Sequence, residues 1–179
     1  GRVVNKTARY NLCFSEKSQE PDYENKKGRI VAYKDVPLLS KVKDALERVL
    51  PNNKAKDLII EGNYYYDIAK CMIGFHGDSE RVKVIGIRLG ASFKFHYQWF
   101  GVSEPDEKAT KKAKIKNKDA RTRYEKKMLG PRLEIVLNHG DLYIMSEKAV
   151  GTDWKSRKDV TLRHAAGEVK ALKGLNKNI

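Results

Sequence analysis

Apolar and polar residues alternate in short blocks along most of the chain, with turn residues between the blocks. "RVVNKTARYNLCF" alternates loosely and is rich in β formers, so a strand is expected near the start. The polar, turn-rich "SEKSQEPDYENKKGR" follows as a loop, and "IVAYKDV" as a second short strand. The period then changes. In "PLLSKVKDALERVL", Leu38, Leu39, Val42, Ala45, Leu46, Val49 and Leu50 recur at helical spacing. Pro37 opens this segment and Pro51 ends it, which predicts an amphipathic helix. Beyond it the alternation returns: "DLIIEGNYYYD", "CMIGFHGD", "RVKVIGIRLG", "SFKFHYQWFG", "RLEIVLNHGD" and "LYIMSEKA" read as strands joined by Gly- or Asp-bearing turns. The expected fold is mostly β, a jelly roll with one helix packed on its outer face.

One segment breaks this rhythm. Residues 104–132, "EPDEKATKKAKIKNKDARTRYEKKMLGPR", hold eleven Lys or Arg against five acids, with few apolar positions. It reads as a basic insertion, helical or disordered, between two strands. Two roles are open to it: an arm that contacts phosphate backbones, or a solvated surface excursion.

Composition narrows the class. At 179 residues with 40% hydrophobic content, a single domain over 1–179 with a real core is expected. No apolar run approaches the roughly 20 residues of a membrane helix, so no membrane role is expected. The start lacks both the apolar stretch of a signal peptide and a Met, and reads as trimmed or partial. Cys13 and Cys71 lie far apart without CxxC spacing and read as reduced thiols in an intracellular protein, with a single disulfide as the alternative; a monomer is expected. The net charge of +14 favours a nucleic-acid partner, DNA or RNA undecided. With no Walker motif, GxGxxG or GxSxG, nucleotide hydrolysis and serine chemistry lack support.

Chemistry concentrates in "GNYYYDIAKCMIGFHGDSER". Residues i and i+2 of a strand point to the same side, so His76 and Asp78 can reach one metal from one face. A further histidine from another strand would complete a two-His-one-carboxylate set, which suits non-haem Fe(II) and leaves positions open.

The surroundings of this pair resemble the AlkB family of Fe(II)- and 2-oxoglutarate-dependent dioxygenases. Asn63 and Tyr65 match an N-x-Y strand, Ile73 and Gly74 the residues before the metal motif, and His76 and Asp78 the HxD motif. "IGIRLGASFKFHYQW" and "LNHGDLYIM" are similar to later strands of the family, so the resemblance runs from about Asp57 to Ala166. It implies a double-stranded β-helix. It also implies an oxidative reaction in which 2-oxoglutarate is decarboxylated to succinate while a substrate C–H bond is oxidised. On an N-methylated base, flipped out or single-stranded, this releases formaldehyde. Two alternatives are an AlkB-like subunit that has lost catalysis and only binds, and a protein side-chain hydroxylase of the same fold.

The resemblance also implies site roles. Tyr65 would donate to 2-oxoglutarate, with Asn63 in support, while Tyr64 and Tyr66 read as strand aromatics with alternate ones buried. "RKDVTLRHAAG" matches R-x-N-x-T-x-R with Asp159 in place of Asn, so Arg157 and then Arg163 would grip the cosubstrate's distal carboxylate. The third iron ligand is open among His164, His139 and none, since 142–155 contains no histidine. His164 is favoured, and His96 reads as a barrel-wall residue. Because Arg163 and His164 are strand neighbours, they face opposite sides, and with His164 as ligand the cation could instead be Lys170 or Lys173.

Overall fold

Strand-forming residues set most elements of the structure, a computed structural model that describes residues 9–51 and 55–168. The chain divides into two units, Gly1–Asp67 and Ile68–Ile179. In the first, β1 (Tyr10–Ser15) pairs in parallel with β2 (Ile30–Ala32) and antiparallel with β3 (Glu61–Tyr64), in the order β2-β1-β3. The strand expected at the N-terminus is therefore observed from Tyr10, and its first part lies outside the described residues. "IVAYKDV" is half strand; a 3-10 turn at Tyr33–Asp35 replaces the rest, just before Pro37. The amphipathic segment forms α1 (Pro37–Val49), with Pro in its first turn as its fixed φ favours.

The tyrosine run departs from expectation. Tyr64 and Tyr66 are 60% and 49% exposed, and they gather with exposed Tyr10 at ring distances of 5.3–6.5 Å. β3 is at the sheet edge and ends at Tyr64, and among the described residues the tyrosine rings meet chiefly one another across β1 and β3.

The second unit holds a four-stranded antiparallel sheet in the order β4-β9-β6-β7. Its strands are β4 (Ile73–His76), β6 (Phe93–Pro105), β7 (Tyr124–Leu137) and β9 (Thr161–Ala166). A second antiparallel pair joins β5 (Val84–Ile87) to β8 (Leu142–Met145). Helix α2 (Glu107–Lys116) links β6 to β7, and the short α3 (Glu147–Val150) follows β8. The second unit is thus mostly antiparallel β with a few helices, in line with the expected class.

Residues 104–132 are not one insertion. The excursion is confined to 106–123, because β6 runs to Pro105 and β7 begins at Tyr124. Register pairs Pro105 with Tyr124 and Ser103 with Lys126. Lys126 and Lys127 hid the alternation: Lys127 is exposed, but Lys126 is half-buried and donates to the Asp159 carbonyl and Thr161 Oγ1. Likewise "SEKAV" leaves the expected strand and forms α3, capped at its end by Gly151 in the left-handed region (φ +77).

Alternation divides β9 between the two faces of its sheet. Thr161, Arg163 and Ala165 share one face; Leu162, His164 and Ala166 share the other. On the first face, Phe75, Phe100 and Ala165 form a buried cluster with Met72 packed against it, Phe75 meeting Phe100 edge-on at 5.8 Å. Truncating Phe100 to Ala should cost roughly 3–5 kcal/mol, whereas Leu38→Ala on exposed α1 should cost about 0.5 kcal/mol or less. Urea unfolding of both variants checks this, and comparable losses would contradict the placement of the core.

Candidate metal centre

β4 ends at His76, and register places His76 directly opposite His164 of β9. Cross-strand partners share a face, so the two imidazoles meet, with ring centroids 4.3 Å apart. A register shift between Ile73 and His76 marks a local irregularity in β4, just before the chain turns at Gly77. The turn brings Asp78 back: its Oδ1 lies 3.8 Å from His76 Nε2. Ligand atoms of His76, Asp78 and His164 all lie within 4.8 Å of one another.

Gly77 is required by close approach. A Cβ there would overlap the Gly151 carbonyl oxygen and come within 2.7 Å of Trp154 Cβ. The backbone of this turn is tied to the segment after α3: Asp78 N–H donates to the Val150 carbonyl at 3.0 Å, and Trp154 Nε1–H donates to Ser79 Oγ at 3.1 Å. Gly151 is constrained in turn, since a Cβ there would lie 2.7 Å from the Leu162 carbonyl oxygen of β9. The "SEKAVGTDW" stretch is therefore the brace that holds the HxD turn beside the histidine strand.

The electrostatics suit metal ligation. His76 Nδ1 lies 2.8 Å from the Gly74 carbonyl; donation there leaves Nε2 as the acceptor that faces Asp78. His164 is buried and its Nδ1 has no hydrogen-bond partner. Burial first, and then the neighbouring His76, push the His164 pKa down to about 4, against the opposing pull of Asp78 and the Ala149 carbonyl. His164 is thus neutral at physiological pH, the form that binds metals. Two imidazoles and one carboxylate make a donor set for a divalent first-row metal, Fe(II) included, with coordination positions left over.

An aromatic wall flanks the site on the same face. Phe95 stacks on His164 at 5.7 Å, and Tyr97, the β6 partner of His164, stands edge-on at 6.4 Å. Tyr143 of β8 meets Phe95 at 5.6 Å and lies across Gly86, where any side chain would collide with its ring. Burial raises the Tyr97 pKa to about 12 and that of Tyr143 above its usual value, so both phenols keep their protons.

The other candidates of the second unit go elsewhere. His96 is fully buried on the opposite face, with Nε2 2.8 Å from the Gly167 carbonyl and Nδ1 3.7 Å from Glu134, so it is a wall residue. His139 sits exposed in the β7–β8 turn, where Nδ1 accepts from Gly90 N–H at 2.9 Å. The cosubstrate role expected of the two arginines is not met by their placement. Arg157 precedes β9; its guanidinium stacks on Tyr124 at 4.9 Å and its carbonyl accepts from Ser103. Ser103 is six positions along β6 from Tyr97, roughly 20 Å at strand spacing. Arg163 is buried on the face away from His164, over Phe100 at 4.3 Å and near Trp154 at 5.5 Å, donating to the Trp154 carbonyl. Asn63 belongs to the first unit, where its Oδ1 accepts from Arg9 Nε at 2.6 Å and Asn11 Nδ2 at 3.2 Å; Tyr65, half-buried, belongs to that unit too. Lys170 and Lys173 lie outside the described residues.

One residue at the centre escaped the sequence reading. Arg81 Nη1 pairs with Asp78 Oδ1 at 3.1 Å and adds to the positive surroundings of His164. Its signal was present in "DSER", an acid and a base three residues apart at a turn.

Two outcomes follow. Gly77→Ala should weaken Fe(II) binding at least tenfold by shifting Asp78, as losses around metal ligands do, in an anaerobic titration; unchanged binding would dissociate the brace from the site. For the metal-free protein, the His164 pKa is near 6.5 unfolded and about 4 folded, so the unfolded chain takes up the proton first as pH falls. Stability should therefore drop from about pH 6.5 to about pH 4, by up to roughly 3 kcal/mol. Urea unfolding across this range should show a flatter profile for His164→Gln.

Comparison with known proteins finds no family model and no solved structure that matches. An uncharacterized protein of Acanthamoeba polyphaga mimivirus is 50% identical over 167 residues, covering 93% of this chain and 56% of that protein. The chain thus spans just over half the length of the curated relative it matches.

Proposed function

We propose that the chain carries an Fe(II)- and 2-oxoglutarate-dependent dioxygenase centre on a double-stranded β-helix, acting on a methylated nucleic-acid base. The observation that carries this reading is the convergence of His76, Asp78 and His164, from two strands and one braced turn, within ligand distance of one another. These residues would hold the iron, and iron with 2-oxoglutarate and dioxygen would supply oxidation of a C–H bond. The family resemblance brings 2-oxoglutarate to the proposal, and the +14 charge supports a polyanionic substrate.

The chain's own residues would act around that chemistry. His76 and His164 supply imidazole nitrogens, Asp78 a carboxylate, and the Gly74 carbonyl orients the His76 ring. Buried Phe95 would shield one side of His164 from water, and the half-buried rings of Tyr97 and Tyr143 beside it could meet a flipped base. Arg81 pairs with Asp78 Oδ1 and would have to yield that oxygen to a metal.

A second reading is a metal-binding, nucleic-acid-binding subunit without turnover. The placement of Arg157 and Arg163 away from the three ligands favours it.

The test is succinate release from 2-oxoglutarate with Fe(II) and dioxygen, using N-methylated oligonucleotides in one arm and peptides in the other. The proposal expects turnover with the oligonucleotides and a loss of at least about a hundredfold in His76→Ala, as for removal of a catalytic group. Turnover confined to peptides would move the assignment to a side-chain hydroxylase. Absence of turnover with either substrate would favour the second reading.

A further inference from the structure

The excursion between β6 and β7 concentrates charge. Residues 106–123 contain eight Lys or Arg and three acids, a net +5 of the chain's +14. All eight cations are exposed, and none forms an ion pair among the described residues. One of the acids is already occupied, since Asp106 caps α2 by accepting from Ala109 N–H at 2.8 Å.

This is an ordered element. Both of its feet are tied together: Asp106 N–H donates to the Arg123 carbonyl, and Arg123 N–H donates to Thr110 Oγ1, each at 2.8 Å. Helical spacing puts Lys108, Lys111, Lys112 and Lys116 on one arc, while Ala109, Thr110 and Ala113 on another side are half-buried. A solvated charge run would mix signs along its surface; this one presents a row of a single sign. An anionic membrane would require an apolar face to bury beside the lysines, and α2 offers only Ile115 as a large apolar side chain.

Its position relative to the metal centre gives the row a meaning. Along β6, Tyr97 stands beside His164 and Pro105 stands at the foot of the arm, eight positions away. At strand spacing that is about 26 Å at most. Stacked nucleotides advance roughly 3.4 Å each, so the span corresponds to about eight nucleotides, and fewer on an extended strand.

We propose that the β6–α2–β7 arm is a clamp for a phosphodiester backbone, gripping the strand up to about eight nucleotides from the base presented to His76, Asp78 and His164. The preferred substrate is then a polynucleotide and not a nucleoside or a short fragment. The inference rests on the nucleic-acid reading above and adds a length requirement set by the fold.

The experiment is fluorescence anisotropy of metal-free protein with single-stranded oligonucleotides of about 4, 8 and 16 nucleotides over a salt series, with anionic vesicles as a separate arm. The variant combines Lys108→Ala, Lys111→Ala, Lys112→Ala and Lys116→Ala; alanine favours the helix and all four sites are exposed. Wild type should bind the longest strand at least tenfold more tightly than the shortest. The variant should lose most of that difference, and its salt slope should shrink by roughly 2–3 for four lost contacts to a single strand. Equal affinity and slope in the two proteins would overturn the clamp, as would tighter binding to vesicles than to the longest strand. Because the readout needs no metal, arm-dependent binding without succinate release would count against the dioxygenase and for the clamp. Succinate release equally efficient on the shortest and longest strands would count against the clamp alone.

Discussion

Everything at the candidate centre depends on the register of β9 against β4. His164 faces His76 only because these two residues are opposite one another in an antiparallel pair. A slip of one residue would send His164 to the far face and bring Arg163 to the metal side. The opposite face opposes such a slip. Phe75 and Ala165, each the chain neighbour of one histidine, are locked with Phe100 into a dry cluster, so displacing the register would expose them. The apolar face thus fixes the polar one.

The carboxylate is held by a different device. A turn alone would leave Asp78 free to swing. Here glycines at 77 and 151 let two backbone segments approach more closely than any side chain would allow, and Trp154 closes over them with a bond to Ser79. The cost is an environment that disfavours charge on His164, which in turn keeps that ring neutral and able to donate a lone pair.

Part of this was legible in the sequence. His76 and Asp78 were readable as a pair from their spacing, but β4 stops at His76, so Asp78 reaches the same side through the turn at Gly77 and not by strand alternation. His164 followed from scarcity, since the chain has four histidines and few could reach the pair. The helix beginning at Pro37 was marked by its period and its prolines. The arginines were not readable: a matching string suggested one strand, but β9 starts only at Thr161, so Arg157 falls before it and stacks on Tyr124. The first half of β7 was hidden because a half-buried lysine, Lys126, looks in sequence like its exposed neighbour Lys127 and so like part of a solvated run. Tyr64 and Tyr66 were misread because alternation says which residues share a face and not whether anything covers that face.

The account's central claim is that three side chains, and no other histidine, form one metal site. Cobalt(II) titration followed by visible absorption tests it most directly, since the spectrum reports the ligands themselves. Wild type and His139→Ala should bind one equivalent with the same spectrum, while His164→Ala should lose the high-affinity site. A His164→Ala protein that binds cobalt with wild-type affinity and spectrum would contradict the account.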